Sequence, residues 1–204
     1  KRFIYASSSS VYGNSTDIPF KEISLTDRQE SLYAVTKKSN ELMAYSFGQN
    51  YGLETIGLRF FTVYGPYGRP DMSYFKFLNS HNNGKSIDVY NHGEMYRDFT
   101  YVDDIVNGIV NVSLNEPRVN KEISRIYNIG CGNPIKLIDF INLIENISGI
   151  TFEKRYVDIQ KGEVKSTHAD ISKIILDYPN YKIGTQIDIG LKKFIDWYKN
   201  YILK

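Results

Sequence analysis

Tyr33 and Lys37 stand four residues apart in a segment with the character of a helix, which puts both side chains on one face. A free tyrosine, with a pKa of about 10, is a poor base at neutral pH. An ammonium beside it favours the phenolate. Such a pair can take a proton from an alcohol while a second group removes the hydride. A serine hydroxyl both donates and accepts, so one placed by the same alcohol can relay that proton. Ser7, Ser8, Ser9 and Ser10 supply a cluster of such hydroxyls. By itself Tyr-x-x-x-Lys is a spacing that arises often by chance, and a tyrosine on an amphipathic helix is ordinarily packing. The weight of the pair depends on what flanks it.

The flanking elements are readable from pattern. Residues 3–6 form a short apolar run that reads as a buried strand delivering the four serines to its carboxyl end. Tyr12-Gly13-Asn14 marks a turn, and residues 14–30, with Pro19 and no periodicity, read as a loop. Ser31 is an N-cap for a helix running to about Tyr51 and stopped by Gly52. Leu32, Val35, Leu42, Met43, Tyr45 and Phe47 occupy more than one face of it, a pattern expected of a helix buried on two sides, by a sheet and by a partner subunit. A strand at 55–61 and a Gly/Pro-rich loop at 62–71 follow. Helices are expected near 73–82, 103–115, 136–148 and 185–202, and short strands at 87–90, 126–129 and 152–156. This alternation predicts an α/β architecture with a partly parallel sheet. Ligands of such sheets bind beyond the carboxyl ends of strands, where the serines and the loop after Phe61 both fall.

Composition narrows the function classes. The 204 residues are 42% hydrophobic and 24% charged, with 25 basic and 23 acidic residues well mixed, and no basic block of nucleic-acid-binding density occurs. The 17 tyrosines and 11 phenylalanines are not interleaved with basic residues as a nucleic-acid surface would require. No apolar stretch approaches the ~20 residues of a membrane-spanning helix. His81, His92 and His168 lack ligand spacing, so no metal is expected. Cys131 is the only cysteine, which fits a reducing, cytoplasmic compartment. The basic-then-apolar start at Lys1 is too short for a signal peptide and begins without methionine, so the chain is expected to be a fragment.

Four motifs in order carry a resemblance. They are Phe3-Ile4-Tyr5-Ala6-Ser7-Ser8-Ser9-Ser10-Val11-Tyr12-Gly13, then Tyr33-Ala34-Val35-Thr36-Lys37, then Leu58-Arg59-Phe60-Phe61-Thr62-Val63-Tyr64-Gly65-Pro66, and Arg97-Asp98-Phe99-Thr100-Tyr101-Val102-Asp103-Asp104. Together they resemble the extended short-chain dehydrogenase/reductases that act on nucleotide sugars. The resemblance implies the C-terminal part of a Rossmann-type parallel sheet plus a smaller mixed α/β substrate-binding region. Residues 1–70 would belong to the NAD-binding part and 71–204 mainly to the UDP-sugar region, with about 98–130 returning to the former. It also implies NAD as cofactor, a UDP-sugar as substrate and a homodimer formed through the helix bearing Tyr33 and Lys37 and the one after it.

By the same resemblance Ser8 is the catalytic hydroxyl, Tyr33 the base, and Lys37 the residue that holds the nicotinamide ribose. Phe60 and Phe61 lie near the nicotinamide, although aromatics ending a strand are also ordinary core. Arg97 matches an arginine that binds UDP phosphate; without the resemblance, an ion pair with Asp98 is the default. The strand around Asp88 and Tyr90 matches the one that holds the uracil, and Gln160 and Glu163 fall where relatives contact the uridine ribose. Asp103 and Asp104 precede an apolar helix and read as capping residues. The family's G-x-x-G-x-x-G motif does not occur in the chain, and Gly130-Cys131-Gly132 reads as a turn rather than a phosphate cradle. The chain alone is therefore expected to be inactive.

Ser9 and Ser10 stand where relatives that dehydrate a hexose need a carboxyl pair, and serine hydroxyls cannot serve that role. Epimerisation needs only one base, one relay and one nicotinamide. The run from Thr62 to Met72 is similar to that of UDP-glucuronate 4-epimerases, in which the threonine and arginine matching Thr62 and Arg69 hold the sugar carboxylate; a guanidinium plus a hydroxyl suits that anion. The expected reaction is C4 epimerisation of UDP-glucuronate. The alternatives are another UDP-hexose epimerase, a UDP-glucuronate decarboxylase, or a non-catalytic nucleotide-sugar-binding module.

Overall fold

A computed structural model describes residues 1–159 and 164–203. In chain order β1 (Arg2–Ser8) runs through a 3-10 turn at Ser9–Tyr12 and an irregular stretch into α1 (Leu32–Tyr51). Next come β2 (Glu54–Phe60), β3 (Thr62–Tyr64), α2 (Ser73–Asn82), β4 (Ile87–Tyr90), β5 (Tyr96–Arg97) and β6 (Phe99–Tyr101). The chain continues through α3 (Val102–Leu114), β7 (Ser124–Ile129), β8 (Ile135–Lys136), α4 (Leu137–Ser148), β9 (Lys154–Val157), α5 (Ser172–Asp177) and α6 (Ile187–Tyr201). The expected α/β class holds: β1, β2 and β7 form a parallel sheet in that order. Smaller parallel pairs join β3 to β6 and β4 to β9, and β5 runs antiparallel to β8. Among the described residues, no helix is long and apolar enough to cross a membrane.

Helix α1 begins and ends where its sequence says. The Ser31 hydroxyl oxygen accepts the Ala34 N–H at 3.2 Å, and Gly52 closes the helix in the left-handed region with φ 66°. Its buried stripe is Ala34, Glu41, Ala44 and Gly48. Small side chains there let the helix approach the sheet closely: a methyl group on Gly48 would overlap the Ser124 hydroxyl. Of the two sides expected to be buried, the one against the sheet is buried within this chain. Leu42, Met43, Tyr45 and Phe47 are all more than half exposed, because only one face of the helix meets the sheet.

Two large apolar cores, and a smaller one of Val11, Tyr12, Phe20, Phe61 and Ala169, organise the rest. One lies between β2, β7, α3 and α5, where Ile56, Leu58, Ile105, Tyr127, Ile129, Ile174 and Tyr178 meet. The other is aromatic, built on Tyr64, Tyr74, Phe75, Phe99, Phe140 and Phe194 from β3, α2, β6, α4 and α6. Phe99 and Phe140 stack there at 3.9 Å between centroids. Each such side chain contributes roughly 1.5–3 kcal/mol on burial.

Three differences from the sequence reading have local causes. Thr62–Tyr64 is a strand rather than loop, since its β-branched and aromatic residues find β6 as a parallel partner. α5 is an additional short helix, held by the burial of Ile174 and Asp177, with the Asp170 carboxylate accepting the Ser172 N–H at 2.9 Å at its start. Asp104 is no capping residue: the N-cap of α3 is Tyr101, without a side-chain cap, and the Asp104 carboxylate instead accepts the N–H groups of Gly184 and Thr185, each at 3.2 Å. Asp103 stays in the first turn of α3, where its charge suits the helix dipole.

Candidate active site

The carboxyl ends of β1 and β2 open into a cavity of about 540 Å³. After Ser8 the chain turns tightly through Ser9–Tyr12, which keeps the serines at the rim instead of extending the strand. The Ser8 oxygen accepts the Ser10 N–H at 3.2 Å and its hydroxyl lies 3.1 Å from the Ser10 hydroxyl, so the turn fixes this side chain. Helix α1 brings Tyr33 and Lys37 to the same cavity. The Lys37 ammonium donates to the Ala6 carbonyl at 3.1 Å and lies 5.7 Å from the centre of the Tyr33 ring. Lys37 thus bridges the base candidate and the strand that bears Ser8. Tyr33 is half exposed on the open side.

The end of β2, β3 and the loop that follows also line the cavity. Phe60, Phe61, Thr62 and Arg69 all border the cavity, so Ser8, Ser9, Ser10, Tyr33, Lys37 and these four residues come together. Phe61 is also core, packed against Tyr12 and Phe20 at 6.3 and 6.4 Å. Arg69 is exposed at the rim, its Nε 3.3 Å from an Asp71 carboxylate oxygen.

A second cavity of about 530 Å³ receives Asp88, Tyr90 and Arg97 and shares Thr62 and Met72 with the first. Asp88 is gripped from β9 by the Arg155 guanidinium through bonds of 2.6 and 2.9 Å, which hold its carboxyl below its ordinary value. Arg97 donates to the carbonyls of Tyr96 and Lys165 at 3.0 and 3.2 Å. The ion pair that adjacency suggests for Asp98 is not what occupies that carboxylate. Asp98 is fully buried and accepts the N–H groups of Cys131, Gly132 and Ala169 at 2.8–2.9 Å. Burial pushes its carboxyl up against the pull of those donors. Since two of the three amides belong to Gly130-Cys131-Gly132, the Cys131 and Gly132 donors of that segment are taken up by Asp98. Gln160 and Glu163 lie outside the described residues.

Lys76 and Asp71 also line the second cavity, and neither stands out in the sequence. Lys76 is one basic residue on a helix with no motif around it; only its place one turn after Met72 on α2 hints at its direction. Among the described residues, no group of three or more His, Cys, Asp or Glu is placed to hold a metal.

The model of the NAD dependent epimerase/dehydratase family matches residues 1–130. Protein CapI of Staphylococcus aureus is 48% identical over all of this chain and 65% of its own length. UDP-glucuronate 4-epimerase 2 of Arabidopsis thaliana is 41% identical over 97% of this chain and 48% of its own. The crystal structure of UDP-glucuronic acid 4-epimerase from Bacillus cereus, in complex with UDP-glucuronic acid and NAD, superposes with a TM-score of 0.89 at 33% identity. That match covers 98% of this chain and 62% of that one. The chain therefore spans less than two thirds of the length of each of these relatives. A fold of this kind, two adjoining cavities at the ends of its parallel strands and a family match across more than half the residues lead to one conclusion: the chain belongs to the NAD dependent epimerase/dehydratase family.

Proposed function

We propose that the full-length protein is a UDP-sugar 4-epimerase that converts UDP-glucuronate to UDP-galacturonate. The observation that carries this reading is a single cavity lined by Ser8, Tyr33 and Lys37 together with Thr62 and Arg69. Tyr33 takes the proton of the 4-hydroxyl, and Ser8 relays it. Lys37, fixed on the Ala6 carbonyl, presents its charge to the Tyr33 ring and holds the nicotinamide ribose. NAD, held at Tyr33 and Lys37, would supply a reversible acceptor for the C4 hydride, which is what inversion at that carbon requires. Phe60 and Phe61 border the nicotinamide end. Ser9 and Ser10 contact the sugar and offer no carboxyl for dehydration or decarboxylation.

The residues present fit the nicotinamide end of NAD: the half-exposed Tyr33 phenol and the Lys37 ammonium line the cavity together, 5.7 Å from ring centre to ammonium. A glycine-rich phosphate motif is not in the sequence, so the 204-residue chain by itself should give no turnover. On the substrate side, Arg69 exchanges its exposed Asp71 partner for the uronate carboxylate, assisted by the Thr62 hydroxyl. Asp88, Tyr90 and Arg97 hold the nucleotide in the second cavity, which adjoins the first at Thr62 and Met72. Gln160 and Glu163 are assigned to the ribose on resemblance alone. A division into an NAD-binding part, residues 1–70 and about 98–130, and a UDP-sugar part rests on the resemblance; the sheet core draws Ile56, Leu58, Ile105, Tyr127 and Ile129 from the first and Ile174, Tyr178 and Tyr181 from the second. The exposed apolar face of α1 supports a homodimer through that helix, and the free Cys131 thiol supports a cytoplasmic setting, with surface-polysaccharide synthesis as the process served.

The test is Arg69→Ala in the full-length protein, assayed with UDP-glucuronate and a neutral UDP-hexose. Loss of a charge-assisted pair, about 1.5–3 kcal/mol, should lower kcat/KM for the uronate roughly 10- to 100-fold. The neutral sugar should change less than about twofold. A wild-type protein that uses neutral UDP-hexoses as well as the uronate overturns the substrate assignment.

A further inference from the structure

Behind the cavity lies a charged cluster that the proposed reaction does not use. Glu41 is 3% exposed and Arg59 is 2% exposed. The Arg59 guanidinium donates to both Glu41 carboxylate oxygens, at 2.8 and 2.9 Å, and the Ser7 hydroxyl donates to one of them at 2.6 Å. The Lys38 ammonium stands 3.4 Å from the other. The Tyr12 ring covers the guanidinium carbon at 4.7 Å, and the Glu22 carbonyl accepts from it at 3.4 Å. Burial would push the Glu41 carboxyl up, but Arg59, Ser7 and Lys38 together hold it below its ordinary value, so it is a carboxylate at neutral pH.

Removing two ions from water is costly, and apolar residues of similar volume often serve a core as well or better. What an ion pair adds over apolar packing is direction. Here the directions converge on the catalytic strand. Tyr33, Lys37 and Glu41 lie four residues apart in one line along α1. Lys37 grips the Ala6 carbonyl and Glu41 grips the next residue, Ser7, while Ser8 faces the cavity. Arg59 anchors the same carboxylate to β2, in register with Ser7 across the sheet. Three elements are therefore tied at one carboxylate, one residue from Ser8 and one helical turn from Lys37.

We propose that Glu41, locked by Arg59, is a positioning residue that fixes α1 against the end of β1, so that Ser8, Tyr33 and Lys37 meet the sugar in one arrangement. The inference rests on the proposed function for its kinetic readout but not for its structural one. In the full-length protein we compare Glu41→Gln, Ser7→Ala and the apolar pair Glu41→Leu/Arg59→Met by Tm, kcat and KM. Peptide-level hydrogen exchange over residues 6–12 and 31–38 is measured in parallel. The apolar pair should keep its Tm within a few degrees of wild type and its KM within about threefold, yet lose at least tenfold in kcat. Exchange in both segments should rise at least tenfold. A role in stability alone would restore kcat together with Tm, and that result overturns the proposal.

If the apolar pair does not fold, Ser7→Ala decides. It removes one hydroxyl, and a kcat equal to wild type with unchanged exchange overturns the proposal. Glu41→Gln, which retains a bond to Ser7, should fall between wild type and the apolar pair. A wild type that turns over no UDP-sugar defeats the proposed function instead. The exchange comparison then still decides for or against Glu41.

Discussion

Single side chains do two kinds of work in this molecule, and the two respond differently to substitution. Tyr33 is half exposed and carries little of the packing, so Tyr33→Phe should leave Tm within about 2 °C while lowering kcat of the full-length protein by about 10²–10⁴-fold, the usual weight of a positioned acid–base group. A paired melting curve and turnover assay check this. Asp177 is the opposite case. It is 2% exposed and accepts the Val119 and Asn120 N–H groups at 3.0 and 2.8 Å and the Tyr127 hydroxyl at 2.7 Å. Burial alone would raise its carboxyl, but the Asn120 N–H, the Tyr127 hydroxyl and the Val119 N–H hold it below its ordinary value. Its stability contribution is thus present above the ordinary carboxylate range, about pH 4, and is lost as pH falls through the depressed value. Asp177→Asn should lower stability at pH 7 by about 1–3 kcal/mol. Its Tm should also fall less steeply than wild type between pH 5 and pH 3 when both are followed by circular dichroism.

Elements were legible in proportion to how local their causes are. Helix α1 announces itself through Ser31 and Gly52, and the strand at 87–90 through its alternation, because caps and pleat are short-range chemistry. The strand at Thr62–Tyr64 depends on a partner 37 residues later, and α5 on a core that only the finished fold supplies; three β-formers and one Asp170–Ser172 bond are too weak as local signals to announce either. The site divides likewise. Ser8, Tyr33 and Lys37 gain meaning from spacing and resemblance, whereas Glu41 is an ordinary acid in a helix until Arg59 and Ser7 are brought to it. Helix α6 gives an element-scale test. A methyl group at Gly190 would overlap the Tyr64 hydroxyl and stand 2.8 Å from the Tyr101 ring, and both tyrosines are buried. Alanine favours the helix by roughly 1 kcal/mol, yet overpacking two rings typically costs about 1–3 kcal/mol. Gly190→Ala should therefore lower the denaturant midpoint with no change in m, and a raised midpoint would refute the close approach.

At the scale of the whole molecule, the two cores are not successive stretches of chain. The backbone contributes Ile56 and Leu58 to the sheet core, crosses to the aromatic core from Tyr64 to Tyr101, and returns from Ile105 to Ile129. It crosses again from Leu137 to Phe152, returns from Ile174 to Tyr181 and ends in the aromatic core from Leu191 to Tyr198. Such threading makes the molecule tolerant of a cut yet intolerant of separation. The Arg118 and Lys121 side chains are exposed in the segment between α3 and β7, whose backbone is tied to Asp177, so trypsin should cut there once Asp177→Asn loosens it. One nick there leaves each fragment holding part of both cores. The fragments should elute together by gel filtration, part only in denaturant, and fail to regain helix signal when refolded singly. Like two hands with fingers interlaced, the pieces would owe their shape to each other after the bond between them has gone.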